Sequence, residues 1–327
     1  HGRNVAIGYA ALTAQNAGAD AYNVAVGYDA GTAITTGAQN TIVGGQAGQS
    51  LTTGEKNVAI GKAALSSEDT GDRNVAIGIG ALQTLNYDGS GYNVAVGYDA
   101  GVAMTSGTEN TLVGSRAGDA LTTGSQNIAI GMDALDAEDT GSRNIAIGYN
   151  SLKALNYDGT GYNVAVGFDA GKAMSTGIRN TLIGAGTGDA LTTGNYNVAI
   201  GHFALSAEDT HGTNVAIGYT ALYTQDAGAD AYNVAIGFEA GVDMSTGIQN
   251  TLLGGLAGDA LTTGSNNVAL GYNSLSATTV GADNIAIGKD ALETNVLGSA
   301  SIAIGSLALE DQVPAGTGNV YNIAIGH

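Results

Sequence analysis

Three acidic turns hold the residues whose types and spacing could do chemistry. Glu68-Asp69, Glu138-Asp139 and Glu208-Asp209 recur at one fixed place in a long period, and Asp119, Asp189 and Asp259 stand at one shared place in the turns before. Carboxylate oxygens are the ligands Ca²⁺ prefers, so these pairs are candidate Ca²⁺ sites. A solvated acidic face accounts for them equally well. The glycine-aspartate nonapeptide of calcium-binding β-rolls does not occur, and Arg73 and Arg143 lie close enough in sequence to pair with the acids. The expectation is therefore no cofactor, with Ca²⁺ at these six residues as the alternative.

The four histidines, His1, His202, His211 and His327, have no recurring carboxylate or cysteine beside them and read as surface residues. Gly184-Ala185-Gly186-Thr187-Gly188 follows a repeat strand and opens no helix, so it is not a dinucleotide fingerprint. No Ser-His-Asp set recurs, and the paired carboxylates lie in turns without a cleft to desolvate them. The chain is not expected to be an enzyme. Among the tyrosines, Tyr22, Tyr92, Tyr162 and Tyr232 close slightly longer loops beside Asp or Asn, in the manner of surfaces that grip sugars, and are the candidate receptor contacts. Tyr9, Tyr28, Tyr98, Tyr149, Tyr219 and Tyr272, with Phe168 and Phe238, follow a repeat glycine and could simply cover the edge of a turn.

All of these residues are positioned by a repeat. The frame Asn-Val-Ala-Ile-Gly, or a close variant, opens at Asn4, Asn23, Asn40, Asn57, Asn74, Asn93, Asn110, Asn127, Asn144, Asn163, Asn180, Asn197, Asn214, Asn233, Asn250, Asn267, Asn284 and Asn322, with Ser301 as the one departure. A glycine follows four residues after each start. The β-branched run predicts a short strand, which the glycine ends. Starts mostly step by 17, as from Asn40 to Asn57, but the steps from Asn4, Asn74, Asn144 and Asn214 are 19, so four turns make a 70-residue super-repeat. A repeat this short and strict predicts an all-β parallel β-solenoid of about 19 turns of 17–19 residues. Stacked asparagines are expected to form a structural ladder of side-chain amides.

The ninth and twelfth residues of each turn trade volume. Leu65, Leu135 and Leu205 at the ninth go with Glu at the twelfth, whereas Gly31, Gly48 and Gly101 go with Ile34, Leu51 and Met104. Such compensation is what a close-packed lumen demands, so both positions are expected to face inward.

Composition bounds the function. A net charge of −19 disfavours nucleic acid and anionic membranes as partners. No apolar run reaches the length of a membrane span. With no cysteine there are no disulfides or thiolate metal sites. The 53 glycines fall on fixed repeat positions, which makes them turn residues rather than a mark of disorder. One continuous solenoid over 1–327, part of a longer fibre protein, is the expected organisation.

The repeats resemble those of trimeric autotransporter adhesin heads and, more closely, of phage tail fibres. Gly97-Tyr98-Asp99-Ala100-Gly101 and Leu121-Thr122-Thr123-Gly124 carry the likeness. The resemblance implies a left-handed β-roll, three chains side by side, an extracellular place on a virion tail fibre or bacterial surface, and attachment to a cell-surface glycan or protein receptor. The units are longer than those of adhesin heads. An ice-binding or calcium-stabilised extracellular solenoid is the alternative, suggested by the Thr-Thr steps at Thr35, Thr52, Thr122, Thr192 and Thr262.

A homotrimer is also expected from the strand. If Val75 and Ile77 line the lumen, Ala76 faces outward, and that position is Ala or, at Ile42, Leu112, Leu182 and Leu252, a larger apolar residue. A strand apolar on both faces is buried on both. Ala76, Ile42, Leu112, Leu182 and Leu252 are accordingly the expected oligomer interface.

Overall fold

The structure, a computed structural model, describes residues 2–312, 316 and 318–327, so that His1 lies outside the described residues. It is all-β: 19 three-residue strands and, among the described residues, no helix. The parallel β-solenoid is as expected, with one strand per turn and a step of 17 between most successive turns. Two compact units divide the chain, 1–162 and 163–327. The first holds the strands from Val5–Ile7 to Ile145–Ile147, and the second those from Val164–Val166 to Ile323–Ile325.

Within each unit every strand pairs in parallel with the next at the same repeat position. Val75 lies opposite Val94, Ala76 opposite Ala95 and Ile77 opposite Val96. Because one turn places its strand directly over the previous one, identical positions stack. Two of the loops with two extra residues are tied to the preceding turn by isolated parallel bridges, Asp72 to Ser90 and Ser142 to Thr160.

The strand faces are the reverse of the expectation. Ala76, Ile42, Leu112, Leu182 and Leu252 are fully buried, whereas Val75, Ile77, Thr41 and Thr111 point outward and are half-buried. The physical reason is parity. The opening asparagines from Asn23 to Asn284 are buried, and side chains two residues apart in a strand share a side, so asparagine and alanine face the lumen together. The alanine is small because the ninth and twelfth residues, Leu82 and Leu85 for example, already fill that lumen and are fully buried, as expected. These five residues are therefore core.

Volume is also traded between turns. A β-carbon added at Gly101 would lie 2.7 Å from Leu112 Cδ1 and 3.0 Å from Leu82 Cδ2, and one at Gly118 would lie 3.0 Å from Leu112 Cδ2. A leucine at the strand's central position thus fills the space that two ninth-position glycines leave open. The backbone adds a second reason for those glycines: the ninth residue has a left-handed φ, 59° at Gly101, which glycine adopts without penalty and Leu82 adopts at 48° under strain.

The asparagine ladder runs through the backbone. Asn93 Oδ1 accepts the Asn110 backbone N–H at 3.0 Å, Asn110 Oδ1 accepts that of Asn127 at 2.9 Å, and Asn127 Oδ1 that of Asn144 at 2.9 Å. Nδ2 of Asn110 then donates to the Gly124 carbonyl late in its own turn at 2.9 Å, and that of Asn127 to Gly141 at 2.8 Å, whereas that of Asn144 turns to the Ser142 carbonyl at 3.4 Å. The same pattern holds in the second unit, where Asn197 donates its N–H to Asn180 Oδ1 at 2.9 Å. One side chain closes its own turn and clamps it to the next.

Candidate functional site

The acidic turns are not a solvated face. Glu68, Glu138 and Glu208 sit at the twelfth position, fully buried. Glu68 Oε1 accepts the backbone N–H groups of Asp69 (3.0 Å) and Gly71 (2.7 Å), and Oε2 accepts that of Tyr87 in the following turn (3.2 Å). Glu138 repeats this with Gly141 (2.7 Å) and Tyr157 (3.4 Å). These donors stabilise the carboxylate, but burial outweighs them: the Glu68 and Glu208 carboxyls are raised above the ordinary range and Glu138 is pushed up to about 7. Two of the three glutamates thus spend both oxygens on backbone donors, which makes them turn clamps.

The arginines do not pair with these glutamates. Arg73 lies 3.9 Å from Asp72 and covers the Tyr92 ring at 5.5 Å; Arg143 donates to Gln126 Oε1 (2.8 Å) and to the Tyr162 hydroxyl (2.9 Å). Arg3 covers Tyr22 in the same way at 5.5 Å. Tyr232 has Thr213 where the others have arginine. All four loop tyrosines are exposed, and three carry a guanidinium on the ring, a cation–π contact that fixes their orientation.

The aromatic residues after the repeat glycine build a different surface. Tyr9 and Tyr28 stack at 5.3 Å, and in the second unit His202, Tyr219 and Phe238 form a continuous stack with centroid separations of 5.7 and 5.4 Å. Stacking follows from the fold, since one such residue per turn falls directly over the next. His202 is exposed and so is His327, as expected, whereas His211 is half-buried.

Beside this row the second unit has a cavity of about 380 Å³ lined by Phe168, Asp169, Lys172, Asp189, His202 and Phe203, with Ala185 and Gly186 at its floor. Gly186 stands where related turns carry Gln46, Arg116 and Leu256, and the Phe203 ring occupies the space that a β-carbon there would take. Lys172 Nζ holds Asp169 at 3.2 Å and Asp189 at 3.5 Å. The sequence signal was the departure of Gly186 and Phe203 from their counterparts in the other super-repeats. An aromatic wall with fixed carboxylates and an ammonium can stack on a sugar ring and hydrogen-bond its hydroxyls.

The two threonines of each step differ in their surroundings. Thr52, Thr122, Thr192 and Thr262 each donate Oγ1 to a carbonyl of the next turn, at 2.9, 2.9, 2.8 and 2.9 Å. These four hydroxyls serve turn stacking, whereas Thr53, Thr123, Thr193 and Thr263 beside them are exposed.

A further group of titratable side chains, Glu208, Asp209, His211 and Asp226, has one donor atom from each residue within 4.8 Å of the others. Sequence reading placed Glu208 and Asp209 in an acidic pair but missed His211 and Asp226, which reach the group through stacking of adjacent turns. The chain matches no protein-family model and none of the curated proteins.

Proposed function

We propose that the chain is a structural and adhesive segment of an extracellular fibre, of the phage tail-fibre or bacterial surface-adhesin kind, assembled as a homotrimer and contacting a cell-surface glycan or protein receptor. The observation that carries this reading is the outward side of the strands. Every strand presents two uncharged side chains there, nearly all Val, Ile or Leu, and several are more than one-third exposed in the single chain, among them Ile60, Ile130, Ile183, Ile236 and Leu270. An apolar row repeated turn after turn calls for a cover with the same repeat. A second and third copy of the chain, in register, supply one. The trimer interface is accordingly the Val/Ile face rather than the buried alanine face.

Adhesion rests on the aromatic row and the cavity beside it. Rigid solenoid turns hold both in place, and a scaffold of this kind presents binding residues without ordering cost. On this reading the chain is a binding scaffold rather than an enzyme. Replacing Phe168 by alanine together with Asp189→Asn is expected to reduce attachment to receptor-bearing cells roughly tenfold or more, the scale of losing about 1.4 kcal/mol or more of contact. Circular dichroism should stay unchanged. Replacing Tyr22, Tyr92, Tyr162 and Tyr232 by alanine gives the comparison: loss there, with attachment intact in the Phe168 variant, would move the contact to the loops and overturn the cavity assignment.

A further inference from the structure

We propose that the turn 208–211 with Asp226 of the next turn binds one divalent transition-metal ion, Zn²⁺ by preference. The three super-repeats provide the comparison. In the first two, glycine occupies the place of His211, as Gly71 and Gly141, and asparagine the place of Asp226, as Asn86 and Asn156. Both departures occur in one pair of adjacent turns, and each replaces a residue without metal-ligating strength by one that has it.

The buried glutamate changes with them. A β-carbon at Gly71 would fall 2.5 Å from Glu68 Cδ, so the β-carbon that His211 carries requires a different placement of the glutamate beneath it. Glu68 and Glu138 each give their Oε2 a backbone donor in the following turn, whereas Glu208 Oε2, fully buried, has no hydrogen-bond partner. Glu208 Oε1 accepts the His211 N–H at 3.0 Å and lies 3.6 Å from His211 Nδ1, which also contacts the Thr210 hydroxyl at 2.9 Å. A buried carboxylate oxygen without a donor is costly unless a cation completes it.

The donor set names the ion. One imidazole nitrogen with three carboxylates, their donor atoms within 4.8 Å of one another, matches the borderline cations of the Mn²⁺ to Zn²⁺ series. Calcium and magnesium take oxygen ligands only and would leave His211 unused. Three carboxylates around one imidazole also concentrate negative charge where the cation would sit.

The test is isothermal titration of the full chain with Zn²⁺ and, separately, Ca²⁺. The double variant His211→Gly, Asp226→Asn restores the residues of the related turns, which fold with them, and circular dichroism checks that it is intact. One Zn²⁺ per chain is expected, with affinity lost by roughly 100-fold or more in the double variant, since even outer-shell changes cost 10–100-fold. A variant with Asp69→Asn and Asp139→Asn should bind as the parent does. No Zn²⁺ uptake, uptake unchanged in the double variant, or Ca²⁺ bound in preference to Zn²⁺ would each overturn the proposal.

Discussion

Replacing Asn110 by alanine is expected to lower the unfolding free energy by about 2–6 kcal/mol, because it strands two buried backbone groups at about 1–3 kcal/mol each. The Asn127 N–H loses Oδ1 at 2.9 Å and the Gly124 carbonyl loses Nδ2 at 2.9 Å. Asn110 itself is fully buried, so water cannot replace either bond without opening the turn. Because a solenoid turn contacts only its neighbours, the loss falls on one clamp and one interface rather than being spread through a common core. Urea unfolding measures it, with the neighbouring Glu109→Ala as the surface control, expected to stay within about 0.5 kcal/mol. Asn110→Ser should fall between the two: it imitates Ser301, whose N–H still donates to Asn284 Oδ1 at 3.0 Å and whose shorter side chain keeps an oxygen that accepts, there from Gln312 Nε2 at 3.2 Å. Equal stability of Asn110→Ala and the control would show that the ladder contributes nothing.

The glycine that ends the Thr111–Val113 strand, Gly114, has no room for a β-carbon. At Gly114 it would lie 2.5 Å from the Gly131 carbonyl oxygen and 2.6 Å from its carbon, backbone atoms that cannot rotate away. Gly114 N–H is bonded to the Val96 carbonyl at 2.8 Å on its other side, so the turn is held between two neighbours. The φ of 138° adds strain for any residue with a β-carbon. Overpacking of about 1–3 kcal/mol and backbone strain of about 1–3 kcal/mol give an expected loss of roughly 2–6 kcal/mol for Gly114→Ala. Gly18→Ala, where a β-carbon meets nothing within 4 Å, should be neutral in the same thermal melt. A Gly114→Ala melt that matches that of Gly18→Ala would refute the stacking geometry.

The repeat was legible because its marks are backbone requirements. An asparagine that clamps two turns and a glycine that lies against the next glycine recur wherever the chain closes a turn, so their spacing gave strands, period and parallel order. Which side of the strand faces inward was misread from side-chain size. Val75 and Ile77 are bulkier than Ala76, and bulk ordinarily goes to the core, but here the lumen is filled from the ninth and twelfth positions and has room only for alanine beneath the strand. The parity of Asn74 and Ala76 carried the right answer.

Other features lie beyond pattern reading. Leu65, Leu82 and Leu135 hold left-handed φ values of 52°, 48° and 56°, which neighbouring turns impose against the residues' own preference. The buried state of Glu138 follows from its place under Gly141, not from its acidic neighbour Asp139. Asp226 meets His211 only because adjacent turns stack, although the departure of both from their counterparts one super-repeat earlier was visible.

The proposed fibre stands on the outward Val/Ile row being covered by copies of the chain. Light-scattering mass measurement of the purified chain tests this most directly. Burial of that row between three copies predicts a monodisperse species at three times the 32.2 kDa chain mass, and replacement of Val94, Val96, Ile128 and Ile130 by lysine should dissociate it. A monodisperse species at 32.2 kDa for the unaltered chain would contradict the account.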